Sequence, residues 1–464
     1  MTACDGFLEK APRTTQSTEQ TLSTYSGLSS ATLGAYQYLA SSAWYGGDRV
    51  LESEMRSGNG IKSLSHNSNR YATEMNWNYT ADATSSFWAY GYVTVAEVNN
   101  VIDNLEKAAE EVDQQDLNNL KAECLFIRAI SHFDMVTLYA QPYSYATGSS
   151  LEDPSQNLGI PYIYHTDPND QSARLTVKEV YDDIVADLKE AESIIADDYT
   201  HEGVKDAKAS VSKNAIRALL SRVYLYMEDW QNAADYATLV IKSGDYSLYD
   251  KDEYLSTWTE NEGGSEVIFE IYQDLTNVSN TGLNYMTNPD GSYGDCIASP
   301  ELMALYEDSD VRKSLYRQDA TGTDGLWWTL KYEGKGIYTP DASNTSVLRL
   351  AEMYLNRAEA QVHGATVAGS SALDDLNAIT AARGASAYTA AGLANVKAER
   401  RKELAWEGHY FFDLARWQQP LERQACDFLS EANRNISFPS YRWALPIPKT
   451  EMEVNANLVQ NYKY

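Results

Sequence analysis

The sequence predicts an all-α protein of helix hairpins packed into a right-handed superhelix, with long irregular loop insertions. Three observations predict it. Apolar residues recur at three- and four-residue steps through most of the chain. Small residues stand where paired helices must approach closely. The periodicity stops in two stretches rich in Asn, Ser and Gly with scattered Trp and Tyr.

The elements follow in order. In "NNLKAECLFIRAISHFDMVTLYA" the residues Leu120, Cys124, Ile127, Ile130 and Phe133 make one apolar stripe. "TVKEVYDDIVADLKEAESII" repeats it with Val177, Val180, Ile184, Leu188 and Ala191, and Thr176 with Glu179 forms a capping box at its start. In "NAIRALLSRVYLYMEDWQNAADYATLVIKSGDY", Leu220, Ser221 and Tyr224 match the Leu, small and Tyr positions of a tetratricopeptide repeat. Ala233 falls at that repeat's small position in the second helix. Further helices read from "LRLAEMYLNRAEAQVHG", "SALDDLNAITAARG" and "NVKAERRKELAWEG". Residues 42–86 form the first insertion. The second, 245–345, contains "NYMTNPDGSYGDC" and "TDGLWWTLKYEGKGIYT". Long loops on a helical frame are functional or disordered, and the aromatic content argues against disorder.

Charge narrows the function classes. Against 37 Lys and Arg stand 66 Asp and Glu, a formal net charge of −29, which repels phosphate backbones and excludes a nucleic-acid binder. The chain has 34 Tyr and 10 Trp but only 9 Phe, an excess of rings with one apolar face and one hydrogen-bonding edge, suited to sugars and wet interfaces. No run approaches the ~20 apolar residues of a membrane span. Cys4, Cys124, Cys296 and Cys426 are too scattered for a CxxC pair or a disulfide framework. Cys124 and Cys426 read as core thiols. Cys4, in "MTACDGFLEKAP", follows a small residue and precedes a polar tether, like the end of a bacterial lipoprotein signal. No GxSxG elbow, HExxH helix or phosphate loop appears. With so many acids, a carboxylate pair of the kind a glycoside hydrolase needs carries no weight by itself.

Three stretches together resemble the SusD/RagB family of Bacteroidetes outer-membrane lipoproteins. They are "ERRKELAWEGHYFFDLARW" (399–417), "LRLAEMYLNRAEA" and the C-terminal "LPIPKTEMEVNANLVQNYKY", where Ala456 replaces the family's usual Pro. "DGFLEKAP" near the start and "WAYGYVTVAEVNNVI" also fit. The resemblance implies a tether at 1–20 with a lipid on Cys4, then a single domain over 21–464. That domain divides into an N-terminal half (21–240) and a C-terminal half (241–464). It further implies a surface lipoprotein that captures a nutrient, usually a glycan, and delivers it to a SusC-like TonB-dependent barrel, without chemistry or a cofactor of its own. Some relatives bind oligopeptides. An acidic surface favours neutral glycans or basic peptides.

The 399–417 stretch reads as scaffold. Glu399, Arg400, Arg401 and Glu403 pair along and between helices, while Leu404, Phe411, Phe412, Leu414 and Trp417 pack inward. Gly408 bends the chain. His409 and Asp413 make a structural hydrogen bond, not a metal site. Recognition then falls to the insertions. Trp77 and Tyr79, interleaved with Asn76 and Asn78, offer rings and amides, and Arg56 and Arg70 offer forked donors. Tyr285, Tyr293, Trp327 and Trp328 complete the platform. Trp88 belongs to the helix core by the resemblance. Each ring taken singly fits burial against the frame equally well, but polar loops offer little core for so many.

Overall fold

The computed structural model describes residues 18–82, 86–204, 206–258, 264–273, 282–289, 293–318, 326–333 and 343–464. Its long helices pack on their sequence neighbours. Phe87–Asn104 lies on Gln114–Tyr139, which in turn lies on Val177–Ile194. Lys213–Tyr226 pairs with Trp230–Ser243, and Leu350–Val362 packs on Ala372–Ala382. The capping box forms: the Thr176 hydroxyl accepts from the Glu179 N–H at 3.2 Å, and the Glu179 carboxylate accepts from the Thr176 N–H at 2.8 Å. At the repeat's small positions, Ser221 donates to the Ala233 carbonyl at 3.0 Å, both residues fully buried. Backbones come this close only over small side chains.

The main core joins both halves of the chain. Leu120, Ile127, Phe133 and Ile184 share it with Phe269, Leu348, Phe411 and Trp443. A second cluster, with Met55, Tyr254, Met286, Leu302 and Trp406, lies beneath the insertions. The insertions carry more regular structure than the sequence predicts. Asp48–Ser57 is a helix buried at every residue from Val50 to Ser57. Its apolar residues Val50, Leu51 and Met55 cover only about one turn, and the charged Glu52, Glu54 and Arg56 between and beside them are buried as well. Gly60–Lys62 pairs antiparallel with Cys296–Ala298, tying the first insertion to the second. Val267–Ile271 pairs with Thr345–Arg349, and Tyr316–Gln318 with Trp327–Thr329.

The 399–417 stretch spans the end of the helix Leu393–Glu403, a turn, and the helix Tyr410–Arg416. Gly408 has φ +80°, and a Cβ there would lie 3.2 Å from Arg49 O and Val50 Cα, so the bend requires glycine. The charges are internal. Glu403 meets Arg312, Arg349 and Arg383 at 3.0, 3.1 and 2.8 Å, all four side chains buried. Arg400 and Arg416 share Asp413 at 2.8 and 2.9 Å. That corrects the expected His409–Asp413 hydrogen bond, because two guanidiniums occupy the carboxylate. Burial first, then the charges of Arg222, Arg400, Arg49 and Arg349, hold the His409 imidazole well below its usual range. Trp417 is only half-buried, its Nε1 donating to Glu359 at 2.7 Å. Cys124 is a core thiol, but Cys426 is half-buried at a small surface cavity beside Arg423.

Candidate ligand-binding site

The two insertions meet to form one face. Past its strand, the first insertion runs as a polar loop pinned by Asp295, whose Oδ2 accepts from both the N–H and the hydroxyl of Ser68 at 2.8 Å. This places the Arg70 guanidinium 4.2 Å over the Tyr293 ring, with Nη1 donating to Ser68 Oγ at 2.7 Å. A cation over a ring face holds both groups in orientation. The Tyr285 carbonyl accepts from the N–H groups of Tyr293 and Gly294 at 3.1 and 2.9 Å. The strand carrying Trp327 packs beside Cys296–Ala298. Arg70, Tyr285, Tyr293 and Trp327 are thus brought to one region, each half-buried.

Two residues missed in the sequence join this face. Leu64 is 55% exposed and Phe428 is 42% exposed. Lys62 Nζ stands 4.7 Å over the Phe428 ring and donates to Asn69 Oδ1 at 3.1 Å. The signal for Phe428 was present: in "ACDFLSEANRN" it is a lone ring in a polar loop, the criterion used for the insertions. Asn69, Tyr71 and Phe428 have φ of +63°, +57° and +64°. Left-handed backbone at residues other than glycine is held by its surroundings and gathers at functional loops.

Five expected site residues are corrected. Trp77 is 2% exposed, stacked edge-on against Phe411 and Trp443 at 5.5 and 4.8 Å, with Nε1 donating to the Arg56 carbonyl at 3.0 Å. The ring lies under the loop, so polar neighbours in sequence did not mean a polar environment. Trp328 is fully buried and donates to the Gly294 carbonyl at 2.9 Å. Arg56 is buried, bonded to Glu52, and lies 5.2 Å over the Tyr79 ring. Tyr79 packs against the core with its hydroxyl out of solvent, and burial pushes that phenol above its usual range. Asn76 is buried and works from behind the face, donating to the Phe428 carbonyl at 2.7 Å and accepting from the Ser430 N–H at 2.9 Å.

What remains at the surface is the exposed Phe428 ring, the half-buried rings of Tyr285, Tyr293 and Trp327, one guanidinium and the exposed amides Asn67 and Asn69. Such groups address the apolar faces and hydroxyl edges of a sugar together. Among the described residues, no group of three His, Cys, Asp or Glu is placed to hold a metal ion, and no helix is long and apolar enough to cross a membrane. Cys4 lies outside the described residues.

Comparison with known proteins agrees at the level of the whole chain. A family model described as "Starch-binding associating with outer membrane" matches residues 6–225, and the model of the SusD family matches residues 323–464. SusD-like protein P2 of Formosa agariphila is 25% identical over 436 residues, covering 81% of this chain and 80% of that protein. The crystal structure of a SusD superfamily protein from Bacteroides vulgatus superposes with a TM-score of 0.84 at 28% identity, over 95% of this chain and 99% of that one. Surface glycan-binding protein A from Bacteroides fluxus shares the fold at a TM-score of 0.77 and 24% identity, over 95% and 100% of the two chains. With both ends matched in sequence and the same helical frame carrying joined insertions between them, the chain belongs to the SusD/RagB family.

Proposed function

We propose that this protein is a cell-surface receptor that captures a glycan and passes it to a SusC-like TonB-dependent barrel, tethered to the outer membrane by a lipid on Cys4. The observation that carries the reading is the paired family match, whose N-terminal part is described as starch-binding and associating with the outer membrane. The geometry supports it. Arg70 over Tyr293, with Tyr285, Trp327 and Phe428 nearby, is suited to binding a ligand by stacking and hydrogen bonding.

A glycan array supplemented with oligopeptides, followed by calorimetric titration, tests the ligand. An oligosaccharide that binds and is recovered intact supports the receptor reading. Binding of oligopeptides alone moves the ligand class to peptides. Cleavage of a bound glycan that vanishes on changing one Asp or Glu overturns it. Affinity purification from the native outer membrane should recover a large β-barrel transporter, and recovery of soluble proteins alone would leave only a repeat scaffold.

A further inference from the structure

A second surface lies on the helical frame, beside the end of the first insertion but not lined by it. It is an open cleft of about 280 Å³ whose floor includes Trp88, Ile163 and Leu458. Exposed apolar residues gather around it. Eight large apolar side chains are exposed among the described residues, and three of them, Val93, Val454 and Val459, stand next in sequence to residues that line this cleft. Val93 stands one helical turn before Ala96 in the wall, while Tyr164 turns away toward Tyr162, Arg128 and Asp183. Val454 and Val459 flank Asn455 and Leu458, and their carbonyls are held by Gln171 and Arg174 at 3.1 and 2.8 Å. Apolar groups concentrated at one spot, on a surface otherwise rich in charge, mark an interaction site.

The rim is acidic, with Asp167, Asp170 and Glu451 in the lining. Arg174, the cation nearest the floor, turns inward to the carbonyls of Gly159 and Leu158 at 2.6 and 2.9 Å and does not offset the rim. A sugar fits poorly here. Trp88 is 3% exposed, its faces covered by Tyr139 and Tyr92 at 4.9 and 5.0 Å, so no open ring face meets a pyranose. An anionic lipid surface would be repelled by the rim. An apolar floor and fringe with a carboxylate rim instead complement an apolar side chain flanked by cations.

We infer that this cleft docks an extended segment of a partner protein in which an apolar residue is flanked by Lys or Arg. The inference is independent of the glycan reading, since no residue of either insertion lines the cleft. The test is a methyl NMR titration of the intact protein with two probes, acetyl-Lys-Leu-Lys-Leu-Lys-amide and its Glu-for-Lys counterpart. Saturable shifts at Ile163 and Leu458 are expected with the basic peptide, and the acidic one should bind at least about tenfold more weakly. Replacing Asp167→Lys together with Asp170→Lys should weaken the basic peptide by about tenfold or more. Ala96→Phe, which fills the cleft, should abolish the shifts. A melting temperature near that of the wild type shows that each variant is folded, and glycan titration should be unchanged in both. Three results would overturn the inference: no saturable shift at about 5 mM basic peptide, near the weak end of measurable affinity, equal binding of both peptides, or undiminished binding by the charge-reversed variant.

Discussion

Replacing Glu403→Gln tests the reading of the 399–417 stretch as internal scaffold. The change keeps the side chain's shape and removes one negative charge from among Arg312, Arg349 and Arg383, which approach it at 2.8–3.1 Å. Around them, the side chains of Glu266, Glu399, Glu407 and Asp310 are also buried, and Lys331 and Lys402 pair with Glu407 and Glu399, so the five acids of this network match its five cations. The variant therefore leaves a buried positive charge uncompensated. Removing one partner from a buried ion pair costs about 3–5 kcal/mol. Unfolding entropy of about 2 cal/mol/K per residue amounts to ~1 kcal/mol/K for a chain of this size, so the melting temperature should fall by about 3–5 °C. The pH dependence supplies a second signature. The three arginines, opposing the effect of burial, hold the Glu403 carboxyl well below its ordinary 4.5. Its contribution is therefore fully present above pH 4.5 and is lost as the pH falls through the folded value. The gap between variant and wild type should be widest at neutral pH and close in acid. Thermal melts from pH 7 down to pH 3 check both. A variant that melts with the wild type at neutral pH, or a gap that does not change with pH, refutes the argument.

Alanine at Arg70, Tyr293 or Trp327 should weaken glycan binding several-fold, at about 1 kcal/mol per stacking group, with little change in melting temperature. Calorimetric titration and melts measured together separate the two effects. Trp77→Ala should do the reverse, costing about 3–5 kcal/mol of stability because the ring is enclosed by Phe411 and Trp443. Burial raises the Glu54 carboxyl from 4.5 to about 7. The folded state thus binds the extra proton between those values, stability from this group falls as the pH rises through that window, and Glu54→Gln should flatten the slope. Cys4→Ala in the full precursor should release the protein into the soluble fraction. Retention through detergent-free washing would sink the proposed anchor.

Periodicity in the sequence identified the helices because a one-sided stripe records a one-sided environment, as at Val177–Ile194 with its capping box. The same rule fails where a segment is enclosed. Asp48–Ser57 carries acids and an arginine inward, and its three apolar residues Val50, Leu51 and Met55 are too few to stand out among the Gly and Ser on either side, so it reads as loop. For the site, polar neighbours in sequence accompany half-buried groups at Arg70, Tyr285, Tyr293 and Trp327 and enclosed rings at Trp77 and Trp328. The two kinds differ in tertiary contact, not in local composition or backbone hand, since exposed Phe428 and buried Trp77 are both left-handed. Whether a ring lies over or under its loop depends on partners hundreds of residues away, such as Trp443 for Trp77. Local sequence does not encode those.

The 399–417 stretch lies outside the candidate face and still sets its geometry. The chain leaves the helix at Glu403 and re-enters one at Tyr410, so carbonyls at the helix end and in the turn are free to take donors from elsewhere. Both insertions supply the donors. From the second, Tyr306 donates to Lys402 O at 2.9 Å, Lys331 to Ala405 O at 2.8 Å and Tyr332 to Trp406 O at 2.7 Å. From the first, Arg49 donates to Gly408 O at 3.1 Å, while Glu54 accepts from the Gly408 N–H at 2.9 Å. Arg401 reaches the same insertion through Asn59 at 2.8 Å, one residue before the strand that pairs with Cys296–Ala298. One turn therefore holds the two insertions in register, and the rings and guanidinium at their tips inherit that register. Side chains on mobile loops would give up much of their stacking energy to ordering. Fixing both loops on the buried charge network removes that cost before a ligand arrives.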